Sequence, residues 1–279
     1  MKFTFKNQEA KHLTTIKPNC FRGDLKVSFY MGELAWPDVK EFLQKHKTII
    51  IPVGSCEQHG PHLPLDTDAY DAFWLSLRAA KEAGCALVAP PINYGMSMHH
   101  MDFPGTMTLA SDTLEAVAYE VGISLIKHGF RKIVFENGHG GNAPALESAA
   151  QRIKTDTGAF TVVDTVSLIP DYIEESIETP YDAHAGEFET STSLANREEY
   201  VKTDRIKKPK LTLPASKYMK IGLKETGPKV YWAFRTKELS ETGVIGDPTK
   251  ASKEKGTKAW ETATQRLAEL LCELDKMQT

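Results

Sequence analysis

From Thr48 onward, short runs of apolar residues alternate with longer amphipathic stretches, the pattern of strands in a largely parallel sheet covered by helices. Thr48–Val53 (TIIIPV) is the clearest predicted strand, and Ala86–Ala89, Lys132–Glu136 (KIVFE) and Ala159–Asp164 (AFTVVD) are three more. Asp112–His128 sets Leu114, Val117, Val121 and Leu125 on one helical face, with Asp112 and Glu115 at capping-box spacing and Gly129 as a C-terminal stop. A second helix is expected over Thr190–Tyr200. In Ala251–Leu274 the residues Trp260, Ala263, Leu267, Leu270, Leu271 and Leu274 recur at helical spacing, so this stretch is expected to pack back on the sheet. No internal repeat, low-complexity tract or linker interrupts the pattern, and residues 1–279 read as a single α/β domain. Thr203–Lys229, rich in Lys and Pro and weakly periodic, is expected to be a surface excursion, either a solvated loop or a subunit-contact arm.

Charge narrows the partners. The chain carries 34 Lys+Arg against 37 Asp+Glu, a formal net charge of −3, and has no long basic run, so it offers no electrostatic footprint for nucleic acid or an anionic membrane. Apolar runs such as Ile49–Val53 are far short of the roughly 20 residues that span a bilayer. The first residues, MKFTFKNQEAKH, lack an apolar signal core, which points to a cytoplasmic protein. Cys20, Cys56, Cys85 and Cys272 form no CxxC pair and read as reduced thiols. A chain of this length can bury about 75% of its unfolded surface, so a metal is not required for stability and would serve another purpose.

Candidate chemistry gathers in three places. His12, His46 and His128 sit in contexts that suit a surface role, but the other histidines cluster. Glu57-Gln58-His59-Gly60-Pro61-His62 directly follows the first strand, with Asp66-Thr67-Asp68 shortly after. Asn137-Gly138-His139-Gly140-Gly141-Asn142 follows the Lys132–Glu136 strand. In an open α/β sheet this is where ligands bind, beyond the carboxyl ends of strands. His184-Ala185-Gly186-Glu187-Phe188-Glu189 holds one imidazole and two carboxylates ahead of the expected Thr190–Tyr200 helix. Taken singly, a His beside Gly is usually a hydrogen-bonded loop residue, and a Glu at a helix N-terminus often only complements the macrodipole. Three such clusters together point to a metal site. Nitrogen and oxygen donors without thiolates favour zinc, manganese or iron. Five donors, Glu57, His59, Asp68, His139 and Glu189, exceed the three that one catalytic zinc usually takes from the protein, so two divalent ions fit better.

Pro52-Val53-Gly54-Ser55-Cys56-Glu57-Gln58-His59-Gly60-Pro61-His62-Leu63-Pro64-Leu65, then Asp68, Phe103-Pro104-Gly105-Thr106, Asn137-Gly138-His139-Gly140-Gly141-Asn142 and His184-Ala185-Gly186 through Glu189-Thr190-Ser191 resemble the creatininase (creatinine amidohydrolase) family. Gly243-Val244-Ile245-Gly246-Asp247-Pro248 also fits. The resemblance implies a three-layer α/β/α sandwich and a dinuclear metal centre in a homo-oligomer, often a hexamer. It implies that Glu57 and His139 hold one metal, that His59 and Glu189 hold the other, and that Asp68 bridges them. By the same resemblance His184 is the acid/base that protonates the leaving nitrogen, and metal-bound hydroxide attacks the carbonyl of a cyclic amide or related small amide. Glu187 is the nearest substitute for His184.

Two departures bear on the substrate. Creatininases have a glutamate two residues after the NGH histidine and an aromatic gate four residues before the acid/base histidine, where this chain has Gly141 and Pro180. Relatives with the glycine-rich NGHGGN form include a deformylase, a peptidase of a redox-cofactor precursor, and a hydrolase of an inositol-derived ring ketone. Hydrolytic opening of such a ketone is therefore an alternative small-molecule reaction, and a non-catalytic metal- or ligand-binding scaffold is another. Asn93–His100 is expected to form a substrate wall with Ser97 and His100 as its polar members; equally, Met96, Met98 and Met101 there suit plain packing.

Overall fold

The computed structural model describes residues 28–278 apart from 167–169, 215, 217, 220 and 225–229. His12, Cys20 and the N-terminal segment lie outside the described residues, as does part of Thr203–Lys229. Four strands, β1 (Thr48–Val53), β2 (Ala86–Val88), β3 (Lys132–Asn137) and β4 (Phe160–Thr165), form one parallel sheet in the order β2-β1-β3-β4. Among the described residues, eight helices surround it: α1 (Trp36–Lys45), α2 (Thr67–Ala83), α3 (Ser111–His128), α4 (Ala143–Thr157), α5 (Pro170–Ser176), α6 (Glu187–Asn196), α7 (Thr236–Leu239) and α8 (Lys253–Lys276).

Alternation along the strands builds two cores, because successive side chains leave a strand on opposite faces. Ile50 of β1 and Val134 of β3 join residues of α2, α5 and α8 on one face. Ile49, Ile51, Ile133 and Phe135 join residues of α3 and α4 on the other, with α1 packed against them. The molecule is thus the expected three-layer α/β/α sandwich around a parallel sheet. Trp260, Ala263, Leu267, Leu271 and Leu274 of α8 are buried against α2 and the sheet, with Ser252 capping the helix through the Lys255 N–H.

Some boundaries differ from the expectation for local reasons. In α3 the buried stripe is Leu114, Ala118, Gly122 and Leu125, while Val117 is exposed. Ala and Gly carry the contact because α4 comes close: a Cβ on Gly122 would meet Ile153. The capping box does not form. The helix begins at Ser111, Asp112 accepts from the Thr113 N–H, and Glu115 pairs with Arg152 at 2.7 Å. Helix α6 starts at Glu187, three residues before the expected Thr190, because the Asp182 carboxylate accepts from the Glu187 and Phe188 N–H groups at 2.6 and 2.8 Å. The Thr203–Lys229 stretch is not wholly superficial: the Leu223 N–H donates to the Asp182 carbonyl at 2.7 Å and carries the chain back to the sheet's carboxyl end. Cys56, Cys85 and Cys272 form no disulfide with one another. Among the described residues no helix is long and apolar enough to cross a membrane.

Candidate metal centre

Strand β1 runs directly into Glu57 and His59, and β3 runs into Gly138-His139, so three of the five candidate ligands leave the carboxyl edge of the sheet side by side. Asp68 and Glu189 each lie in the first turn of a helix, α2 and α6. Gly138 permits the approach of α2, since a Cβ there would collide with the Asp68 backbone carbonyl. Ala185, beside His184, takes a left-handed backbone at φ 49°, a conformation that costs a non-glycine residue about 1 kcal/mol or more, and its N–H reaches the Glu189 carboxylate.

The five side chains converge. His59 Nε2 lies 2.9 Å from Asp68 Oδ1 and 3.8 Å from Glu189 Oε2. His139 Nδ1 lies 3.3 Å from Asp68 Oδ2 and 3.2 Å from Glu57 Oε2. Asp68 therefore turns one oxygen to each side. Glu57, Asp68 and His139 form one group able to hold a metal ion, and His59, Asp68 and Glu189 form another, with donor atoms in each group within 4.8 Å of one another.

Backbone carbonyls fix the imidazoles. A carbonyl only accepts, so the ring nitrogen that faces it carries the hydrogen and the other nitrogen keeps a lone pair. His59 Nδ1 donates to the Glu57 carbonyl at 3.2 Å, His139 Nε2 to the Met96 carbonyl at 3.1 Å, and His184 Nε2 to the Gln58 carbonyl at 2.7 Å. All three remaining lone pairs point into the carboxylate cluster. His184 Nδ1 lies 3.7 Å from Glu57 Oε1 and 3.9 Å from Glu189 Oε2, and Glu57, His59 and His184 make a third possible ligand group. A pair of backbone hydrogen bonds to Ile245, at 3.0 and 2.8 Å, pins His184, which gives the Gly243–Pro248 segment its role.

Electrostatics report the same crowding. Burial alone would lower the His59 imidazole, but the carboxylates of Asp68, Glu189 and Glu57 hold it up at about 10. Burial likewise opposes, and Glu57 and Asp68 outweigh it, at His139, which is raised well above its ordinary value. Burial pushes Glu189 up to about 8 and His184 down to about 3, His59 adding to the latter. The buried oxygens Glu57 Oε1 and Asp68 Oδ2 have no hydrogen-bond partner. Buried carboxylate oxygens without donors, facing imidazole lone pairs, are a donor set for cations, and the residues present fit the divalent ions expected from the sequence.

Ser97, expected in a substrate wall, is instead fully buried beneath the centre, where its hydroxyl donates to Glu57 Oε2 and meets Ser55 Oγ. His100 lines the cavity, yet its Nε2 faces Glu57 Oε1 at 3.4 Å and its Nδ1 accepts from Gln58 Nε2 at 2.9 Å. Both face Glu57. Met98 and Met101 are exposed and do not pack the core. Glu187 faces away from the centre: its carboxylate accepts from the Thr179 N–H and hydroxyl and pairs with Lys255, so it ties α6 to its neighbours and is no substitute for His184. Sequence reasoning missed His99, whose ring stacks on His139 at 5.5 Å, and Asp71 and Asp182, which line the cavity. Asp71 at three residues past Asp68 was the one visible signal. The cavity, about 300 Å³, opens onto Asp68, His139, His184 and Glu189 and has apolar walls from Phe188, Leu223 and Phe234.

The chain is similar to known proteins. The family model "Creatininase: Creatinine amidohydrolase" matches residues 32–271. The chain is 36% identical to the mycofactocin precursor peptide peptidase of Mycolicibacterium smegmatis over 213 residues, 75% of this chain and 77% of that protein. It is 29% identical to the 3-dehydro-scyllo-inosose hydrolase of Thermotoga maritima over 257 residues, 87% of this chain and 82% of that protein. A solved structure named "Creatininase Mn" is similar with a TM-score of 0.75 and 26% identity, covering 90% of this chain and 100% of the other.

Proposed function

The chain belongs to the creatininase family, and on that premise we propose that it is a dinuclear metal-dependent amidohydrolase, cleaving the C–N bond of a cyclic amide or related small amide. The observation that carries this reading is the division of Asp68, with one oxygen toward His59 and Glu189 and the other toward His139 and Glu57. Glu57 and His139 would hold one ion, His59 and Glu189 the other, and Asp68 both. Divalent zinc or manganese held there would polarise a carbonyl oxygen and lower the pKa of water from about 15.7 to about 7.

The chain's own residues do the rest. Ser97 holds the Glu57 carboxylate in place, and the Met96 and Glu57 carbonyls orient the imidazoles of His139 and His59. His184, neutral and held by the Gln58 carbonyl, offers Nδ1 to the cavity. It accepts a proton there and delivers it to the leaving nitrogen, which is a poor leaving group until protonated. Phe188, Leu223 and Phe234 exclude bulk water from the reacting carbonyl.

Creatinine itself is a poor candidate. A side chain on Gly141 would strike His139 Nε2 and the Met96 carbonyl, breaking the hydrogen bond that orients His139, so this chain has no room for the family's glutamate there. Creatinine turnover is expected at least about 100-fold below that of the true substrate, since a lost charged contact and lost stacking remove about 3 kcal/mol of transition-state binding. The likeness to the mycofactocin precursor peptidase supports a peptide-like amide, and the likeness to the inosose hydrolase supports ring opening of a cyclic ketone as the second reading. The test is a screen of manganese- or zinc-loaded protein against small lactams, formamides, short peptides and inosose-type ketones. Release of amine or acid from an amide is expected, and turnover confined to the ketones would replace this reading with the second.

A further inference from the structure

Four carboxylates line the cavity, those of Asp68, Asp71, Asp182 and Glu189, and among the described residues no lysine or arginine does. Asp68 and Glu189 belong to the candidate ligand groups. Asp182 is engaged by the first turn of α6, accepting from the Glu187 and Phe188 N–H groups. Asp71 is different. It lies three residues after Asp68 on α2, on the same side of the helix and about 4.5 Å further along its axis. It is 5% exposed, and its Oδ1 accepts from Asn196 Nδ2 at 2.8 Å. Its Oδ2 has no hydrogen-bond donor among the described residues.

The nearby guanidinium does not fill that role. Arg197 is tied to Asp66 at 2.8 Å and to Thr67 Oγ1 at 3.2 Å, is stacked over Tyr70 at 4.3 Å, and does not line the cavity. A nine-tenths buried carboxylate with one oxygen undonated, at the wall of a cavity without a cationic side chain, is matched by a donor carried on the ligand. We propose that Asp71 anchors the substrate's amine: the cavity takes a small amide bearing a protonated amine a few bonds from the scissile carbonyl, and the ammonium donates to Asp71 Oδ2. Burial lifts Asp71 to about 7, although Asn196, Arg197 and His59 pull it down. The inference rests on the amide reading above and adds which amides the cavity selects. An anionic group in the same place is disfavoured by the Asp71 carboxylate.

The test is calorimetric titration of manganese-loaded protein with three ligands that share one carboxamide: 4-aminobutanamide, its neutral counterpart pentanamide, and the anion succinamate. The cation is expected to bind at least about tenfold more tightly than pentanamide, with succinamate weakest. Asp71→Asn is expected to weaken 4-aminobutanamide by about ten- to a hundredfold, the range for one charge-assisted hydrogen bond, while pentanamide shifts less than twofold and metal content stays at the wild-type level. Equal affinity of the wild type for cation and neutral amide, or an undiminished preference in Asp71→Asn, would overturn the anchor. If that variant does not fold, the wild-type ranking decides alone. Ammonia release from the same amides separates the two levels: release without preference for the amine removes the anchor and leaves the amide reading, whereas preference without release keeps the anchor and removes the amide reading.

Discussion

Glu136, near the end of β3, and Glu57, just past the end of β1, are both fully buried carboxylates, and their surroundings differ in kind. Glu136 stands in register with Asp164 on β4, and Arg266 of α8 binds Asp164 at 2.6 Å. Burial first, and the Asp164 charge second, raise the Glu136 carboxyl well above the usual range, so it stays neutral; neither of its oxygens has a hydrogen-bond partner. The one guanidinium pairs with Asp164, and Glu136 keeps its proton. Glu57 faces His139, His100 and His184, which outweigh its burial and hold it well below the usual carboxylate range. Asp68 and Glu189 stand beside it, and no lysine or arginine is among the groups that act on Glu57. Burying charge is costly unless the charge is paired or bound to metal. The first cluster is balanced inside the chain and is architecture. The second is balanced only by protons on imidazoles whose lone pairs otherwise face it, which is the signature of a cation site.

The comparison is broken most severely at its shared ligand. Asp68→Ala should empty both metal positions and lower kcat/KM by about 10⁴-fold, because the several kcal/mol that the ions supply to the transition state go together. His59→Ala should mainly empty one position, and metal analysis of the two variants separates these outcomes; equal metal retention in Asp68→Ala would contradict its bridging role. His184→Ala tests the next level. It should keep the fold and both ions while kcat falls by about 10²–10⁴, the usual contribution of general acid–base catalysis. Metal lost in proportion to activity would instead make His184 a ligand, as its place in the Glu57–His59–His184 group allows.

Much of this centre was legible because its signals are local. Strands end in apolar runs, and Glu57, His59 and His139 follow those ends within a few residues. What was illegible depends on contacts distant in sequence or on side-chain direction. Helix α2 is absent from the pattern read in the sequence, although Gly84 closes it in a left-handed conformation. The start of α6 was misplaced because its cap, Asp182, lies five residues before the first helical residue. Glu187 and Glu189 look equivalent in sequence, yet two positions along a helix are about 200° apart, so one faces Lys255 and the other the cavity. Ser97 and His100 are polar members of one segment in the sequence, but only the fold shows that Ser97 donates to Glu57 and that His100 faces it.

Smaller effects sharpen the contrast. His62 is buried beside the centre but belongs with Glu136 in staying neutral: burial and the neighbouring His59 push it down to about 4. The unfolded chain takes up this proton near pH 6.5 and the folded chain does so only near 4, so the stabilising contribution is complete above pH 6.5 and is lost as pH falls toward 4. The loss is about 3 kcal/mol in metal-free protein, read as the slope of denaturation midpoint against pH, and His62→Gln should flatten that slope. Glu136→Gln should matter least, changing stability near pH 7 by less than about 1 kcal/mol and leaving metal content at the wild-type level, because the native carboxyl is already neutral. Loss of metal in Glu136→Gln would erase the distinction between the two clusters.

The proposed division of Asp68 between two ions is tested most directly by anomalous diffraction from crystals of manganese- or zinc-loaded protein. Two peaks about 3.5–4 Å apart are predicted, one beside His139 and Glu57 and the other beside His59 and Glu189, with Asp68 between them. A single peak, or two peaks that do not share Asp68, would contradict a dinuclear centre built on that carboxylate.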